Sequence, residues 1–267
     1  MDREIGWRKL QSKPHLVISS FNNSGESLIK YGSSYSLYDQ SNQLKWDEIN
    51  SGLGAIKANH VGHDLNNILN FIIQNFERLP DRTAFLKANI LERHCTREYF
   101  DQNIKNLTYT QFYYDPKIEL GKENDIIFPG MYLEKNDPWY IRREKHRVFC
   151  SLDQLAAELF LDYKPAKYVM FSPGACFMVP KEYITRHPKE IYEILLRIST
   201  YDFFPDEAFI VERILPMVFL SGYKTKNNLD SLIQSIETKL EKSEHLCRRK
   251  SLSSKISKRL PNVWPSR

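Results

Sequence analysis

Pro205 opens a helical segment whose first turn holds Asp206 and Glu207. Unpaired backbone N–H groups at that position favour carboxylates. A carboxylate held there, directly after a loop, can take the proton of a hydroxyl that attacks an electrophilic carbon. Helix capping is the other reading of the same pair. Glu212 is a second candidate base, about one and a half turns further on and on a different face, or else a partner for Arg213. His60, Gly62, His63 and Asp64 crowd the start of another helical pattern, where backbone donors can receive a diphosphate or a sugar oxygen. Asp64 can also serve as a simple cap. Two histidines three apart in a loop, with no further ligand set, make zinc the weaker reading.

The elements that must position these groups follow from periodicity. Leu65, Ile68, Leu69, Ile72, Ile73 and Phe76 fall at offsets 0, +3, +4, +7, +8 and +11, the clearest helix in the chain. His15–Phe21 reads as a buried strand that runs into the polar turn Asn22–Gly25. Ser34–Tyr38 is a second strand leading to Asp39, and Thr83–Leu86 a third ending at Lys87. The β-helix-β order implies a parallel sheet with a right-handed crossover, and such sheets bind ligands at their carboxyl edge. Ser19, Ser20, Asn22, Asp39 and Lys87 are therefore expected around a ligand at that edge. Asp39 there either meets a ribose or base or closes a turn.

Later in the chain, the apolar runs Tyr168–Phe171 and Cys176–Val179 flank a Ser-Pro-Gly-Ala turn. Helices are expected after Pro180, after Pro188 and over Leu229–Leu240. Residues 46–58 are irregular, with Gly52 and Gly54. Residues 90–154 are loop-rich and aromatic, with Tyr109, Phe112, Tyr113, Tyr114, Tyr132, Trp139 and Tyr140. Those rings suit a sugar acceptor or form a small core of their own. The expected fold is α/β: one domain over 13–246 with a mostly parallel central sheet flanked by helices, an insertion over about 90–154, and a basic tail over 247–267.

The net charge of +5 resides in that tail. Arg248–Arg267 carries seven basic residues and no acid, which leaves 31 basic against 33 acidic residues elsewhere. The tail is solvated, or touches nucleic acid, an anionic membrane surface or a phosphate. No apolar run is long enough to cross a bilayer, and Met1–Gly6 does not read as a signal peptide, so a cytoplasmic protein is expected. Cys95, Cys150, Cys176 and Cys247 are too scattered for a metal or redox motif, and free thiols are expected.

Gly174-Ala-Cys-Phe-Met-Val179, a helix, then Pro205-Asp-Glu-Ala-Phe209 resembles the catalytic half of metal-independent inverting glycosyltransferases of the branching N-acetylglucosaminyltransferase and peptide O-xylosyltransferase kind. In those enzymes the Glu of a similar Pro-Asp-Glu or Ala-Glu segment is the general base, a role that would carry over to Glu207. A second resemblance covers Lys13 to Gly222 in patches. Val17–Phe21, Tyr38-Asp39, Asn59–Asp64, Asn75–Asp81, Phe85–Lys87, Gly174–Val179 and Val211-Glu-Arg213 run in the order seen in a domain-of-unknown-function family of fungal and bacterial proteins. His63 and Asp64 stand where that family has Arg and Glu, and Lys87-Ala88 where it has Gln-Gly. Its Glu-Arg motif would favour Glu212 as the base. Proteins of this type resemble glycosyltransferases of the nucleotide-sugar-binding A-type (GT-A), Rossmann-like fold.

The resemblances imply an inverting transferase that moves a sugar such as xylose from a UDP-sugar to a glycan hydroxyl. The chain has no Asp-x-Asp signature, so no cofactor is expected to be required and Mn or Mg is not favoured. Basic side chains would instead neutralise the leaving diphosphate, with Lys87, Lys224, Lys226, Arg248 and Arg249 as candidates. On this reading Glu207→Gln abolishes transfer while folding stays intact. The competing readings are a non-catalytic nucleotide or carbohydrate binder, and a nucleic-acid binder that uses the tail.

Overall fold

The computed structural model describes residues 13–41, 51–58, 61–114, 125–139, 148–203 and 205–242. In chain order its elements are β1 (His15–Ser20), α1 (Glu26–Ile29), β2 (Ser34–Asp39), β3 (Ile56–Lys57), α2 (His63–Asn75), β4 (Arg82–Lys87), α3 (Ile90–Arg93), α4 (Arg97–Asn103) and β5 (Thr110–Gln111). There follow β6 (Ile126–Phe128), β7 (Met131–Lys135), α5 (Leu152–Leu159), β8 (Tyr168–Met170), β9 (Phe177–Pro180), α6 (Lys181–Ile184), α7 (Lys189–Thr200) and α8 (Glu207–Leu220). A last helix, α9, covers 229–242.

The main sheet is ordered β3-β2-β1-β4-β9-β5. β1 to β4 are mutually parallel, whereas β9 runs antiparallel to both β4 and β5. The fold is thus α/β with a mixed, mostly parallel sheet. Alternation along the pleat sorts its side chains into two layers. Val17, Phe85, Phe177 and Val179 face a core shared with α2, α5, α7, α8 and α9. Leu16, Ile18, Ala84, Leu86 and Met178 face a second core with Ile90, Phe100 and Phe112. Burial on both faces is why β1 and β4 read as unbroken apolar runs.

The run Tyr168–Phe171 does not join this sheet. It forms β8 in a separate antiparallel sheet, β6-β7-β8. The reason lies in the turn between the two runs: Gly174 and Ala175 both adopt left-handed backbone, φ 72° and 52°, and the chain is redirected before β9 begins. The small sheet is tied back through a buried ion pair. Arg213 of α8 donates to both oxygens of Glu134 on β7, from Nε and, at 3.0 Å, from Nη2. Trp139 donates to the same carboxylate at 3.1 Å, and the guanidinium lies 4.2 Å from the centre of the Phe171 ring.

The aromatic insertion therefore packs rather than hangs open. Phe112 is buried against Phe100, Tyr109 stacks on Phe177, and Tyr132 meets Tyr113 and Phe171 edge-on. Phe112 thus belongs to the second core of the main sheet and Tyr109 packs against the first, so these rings join the cores already described rather than one of their own. Tyr140 and the basic run 142–147 lie outside the described residues. Among the described residues no helix is long and apolar enough to cross a membrane.

Candidate functional site

Register places the expected residues on one edge. Ser20 of β1 stands opposite Asp39 of β2, and Ser19 opposite Lys87 of β4. The loop after β1, the mouth of α2 and the β4–α3 loop close around a cleft of about 300 Å³. Ser19, Phe21, Gln40, His63, Asp64, Lys87 and Arg93 line it. Such a crevice outside the carboxyl ends of parallel strands is where α/β sheets bind ligands.

Each side chain there has a distinct occupation. Asp64, in the first turn of α2, pairs with Lys87, Oδ2 to Nζ at 2.9 Å. Burial pushes the Lys87 ammonium down, but the carboxylates of Asp64 and Glu212 outweigh it, and its pKa is raised overall. Ser19 accepts a hydrogen bond from the buried Asn67 amide at 2.9 Å, which ties β1 to α2. Ser20 donates to the Asn23 carbonyl and shapes the turn. Asn22 is left-handed, φ 59°, and its N–H donates to the Ser41 hydroxyl at 2.7 Å.

Two of the expected ligand residues, Asp39 and Gly62, are engaged in contacts within the fold. Asp39 is fully buried, and its Oδ1 accepts from the Ser41 N–H at 2.7 Å, so it closes a turn. Gly62 donates its N–H to the Phe203 carbonyl, so this amide does not face a diphosphate. A Cβ there would sit 2.8 Å from the Ser199 carbonyl oxygen, and φ is 68°. Glycine is needed because α2 begins against the end of α7. His63 lines the cleft with its ring edge toward Phe203, and its carbonyl accepts from Gln40. His60 lies outside the described residues.

The two candidate bases separate clearly. Glu207 has no exposure; Oε1 accepts from the Val148 and Phe149 amides at 2.8 and 3.4 Å, and Oε2 from the Tyr201 hydroxyl at 2.6 Å. A carboxylate so enclosed anchors the 148–149 backbone to α8. Its neighbour Asp206 is also buried, at the N-cap of α8, where its side chain makes no capping hydrogen bond. The reading of Glu207 as base is corrected on this ground: the first turn of α8 is packed inward.

Glu212 lies elsewhere. Its Oε1 accepts from the Gly174 N–H at 2.8 Å, and its side chain keeps 18% of its surface exposed. Gly174 in turn abuts Lys87, since a Cβ on it would sit 3.1 Å from the Lys87 Cε and 2.8 Å from the His94 Nε2. Glu212, Gly174, Lys87, Asp64 and His94 thus form one cluster beside the cleft. Burial raises the Glu212 pKa, held back by Arg213, Lys87 and the Gly174 amide. His94 is driven down to about 4 by burial and by Lys87 and Arg93, so its imidazole is neutral. Its Nε2 is buried without a hydrogen-bond partner.

The diphosphate candidates divide as well. Lys87 is in the cleft. Lys224 and Lys226 line a different cavity, by Arg186–Pro188, at the opposite edge of the sheet, and are corrected as ligands of this site. That cavity is the larger one, at about 600 Å³, but it lies away from the carboxyl ends and from both candidate bases. Arg248 and Arg249 lie outside the described residues. Sequence reasoning missed Arg93 and His94, although both follow the carboxyl end of β4, the position at which an α/β sheet presents ligand-facing side chains. Among the described residues no three His, Cys, Asp or Glu side chains group as metal ligands. Cys95 and Cys176 are buried free thiols, and Cys150 is exposed.

No protein family, curated protein or solved structure matches the chain.

Proposed function

We propose that the protein is a nucleotide-sugar-dependent inverting glycosyltransferase of the A-type fold, with Glu212 as general base. The observation that carries this reading is the Glu212 carboxylate, held by the Gly174 amide beside Lys87 at the carboxyl edge of the parallel strands. The donor's nucleotide lies in the cleft between the β1 loop and the mouth of α2. Lys87 and Arg93 face the diphosphate. Glu212 takes the proton of an acceptor hydroxyl as its oxygen attacks the anomeric carbon, and the bond from that carbon to the diphosphate oxygen breaks on the opposite face. The charge that appears on the leaving diphosphate is met by the Lys87 ammonium. A carboxyl raised above its ordinary value is better matched to proton removal near neutrality than an unperturbed one. A UDP-sugar such as UDP-xylose and a glycan hydroxyl are the substrates this chemistry suits.

The test is Glu212→Gln in a transfer assay together with a thermal-shift screen of uridine, guanosine, cytidine and adenosine diphosphates and their sugars, with and without manganese. The expected variant binds uridine diphosphate like the parent and turns over at least about a thousandfold more slowly, within the range attributed to acid–base and electrostatic groups. Turnover near the parent's would remove Glu212 from the mechanism. A non-catalytic binder is the second reading, favoured by the Asp64–Lys87 pair, which already satisfies the cation that a diphosphate would need. It predicts stabilisation by nucleotide with no transfer in the parent protein.

A further inference from the structure

A second cavity, twice the volume of the Lys87 cleft, opens where the parallel strands begin. β9 runs antiparallel to β4 and ends with Pro180 opposite Arg82, so the chain continues through α6 to His187 at that edge. One wall is the Arg186–Pro188 turn before α7; the other is the extended segment 223–227 before α9.

The second wall is fixed by its own backbone. Lys224 accepts from the Leu161 N–H and Lys226 donates to the Leu159 carbonyl, both at 2.9 Å, and the Lys224 N–H reaches Asp162 at 3.1 Å. Thr225 turns to His187, Oγ1 to Nδ1 at 2.8 Å. Lys224, Thr225 and Lys226 all line the cavity, together with Arg186. Arg186 is steered there by its bond to the Ser221 carbonyl and its contact with the Tyr183 ring.

Among the described residues none of these three cations is ion-paired, although Glu190 and Asp230 line the same cavity. Three like charges gathered on fixed walls repel one another, and an anion between them relieves that repulsion. The amino end of α7 opens on the same space with no side-chain cap, which adds backbone donors of the same preference. Glu190 and Asp230 line the same cavity and would repel a long polyanion, so a compact anion is the better match.

We propose that this cavity is a binding site for a single phosphate group, separate from the transfer site and independent of the glycosyltransferase reading. A soluble phosphate ester and a lipid headgroup present the same dianion, and the experiment separates them.

The full chain is titrated with inorganic phosphate against sodium chloride of equal ionic strength, and thermal stability is followed. Phosphate is expected to stabilise saturably beyond chloride. The double variant Lys224→Ala, Lys226→Ala should bind about tenfold more weakly or worse, because two charge-assisted contacts are lost. The double arginine variant should keep the response. Both titrations are run in a Lys87→Ala background as well, which removes the cation of the transfer cleft, so phosphate bound there and phosphate bound here are told apart, as are failure of this proposal and failure of the transferase reading. Sedimentation with phosphatidylcholine vesicles containing phosphatidic acid, lost in the double alanine variant, would assign the phosphate to a lipid; no sedimentation alongside saturable phosphate binding would assign it to a soluble molecule. Stabilisation no greater than chloride gives, or a phosphate response that survives the double alanine variant, overturns the proposal.

Discussion

Glu207→Gln separates the two carboxylates of α8 more sharply than any other single change. Glutamine keeps one oxygen for the Val148 and Phe149 amides, and the Tyr201 hydroxyl can turn to accept from the new NH₂ group. What is lost is charge assistance on the two short bonds, worth about 1 kcal/mol each, so the variant should be about 2 kcal/mol less stable, less whatever is recovered by no longer burying a charge. Glu207→Ala leaves two backbone donors and a phenol short of their acceptor, at about 1–3 kcal/mol per group, and should cost roughly 3–9 kcal/mol. In a chain of this size 1 kcal/mol moves the thermal midpoint by about 2–4 °C, which puts the glutamine variant about 4–8 °C down. Urea unfolding followed by tryptophan fluorescence gives the stability, and transfer per folded molecule gives the activity. Glu207→Gln should lose the first and keep the second, while Glu212→Gln does the reverse. Full stability with abolished transfer in Glu207→Gln would refute the structural role and return the base to the first turn of α8.

The Glu134–Arg213 pair should behave as a buried clamp: Glu134→Ala removes the carboxylate that takes two of the guanidinium's hydrogen bonds at 3% exposure and should cost about 3–5 kcal/mol in urea unfolding. A change under about 1 kcal/mol would show that the small sheet is not held through this pair. His94 supplies a pH dependence. Its folded-state pKa of about 4 lies below its ordinary 6.5, so between those values the unfolded chain binds more protons and stability falls as pH falls. His94→Asn should flatten the urea midpoint across that window, and an unaltered profile would place the acid sensitivity on other groups.

The first half of the fold was legible because its signals were local and redundant. β1 and β4 carry apolar runs, β2 a short alternating one and α2 a regular helical period, and the parallel register that brings Ser19 beside Lys87 follows from their order. The second half was not, because its pairings are set by contacts far apart in the chain. Phe177–Pro180 reads as a buried strand, but only the turn geometry at Gly174 and Ala175 decides that it meets β4 antiparallel. β6, β7 and α5 lie in an aromatic stretch whose composition suits a binding surface and a small core alike, and nothing in spacing distinguishes them. The same limit governs the acids. Asp206 and Glu207 have the composition of a helix mouth, yet solvent access there depends on residues 148 and 149, some sixty positions earlier.

On the proposed reading, that dependence is why Glu212, rather than the acid after Pro205, serves as the base. α8 is apolar nearly all round and buried, so its polar side chains survive only where another element supplies a partner. Glu207 finds two amides and a phenol, and Arg213 finds Glu134. Glu212 finds one amide, from a glycine whose missing side chain lets Lys87 and His94 approach. Its second oxygen has Arg213 at 3.9 Å, beyond hydrogen-bonding distance, so of the three charged groups on α8 with assigned partners it is the one left incompletely satisfied at the edge where ligands bind. In the proposed reaction a substrate hydroxyl completes that set, which ties the open second oxygen of one half-buried carboxylate to the proton transfer proposed for it.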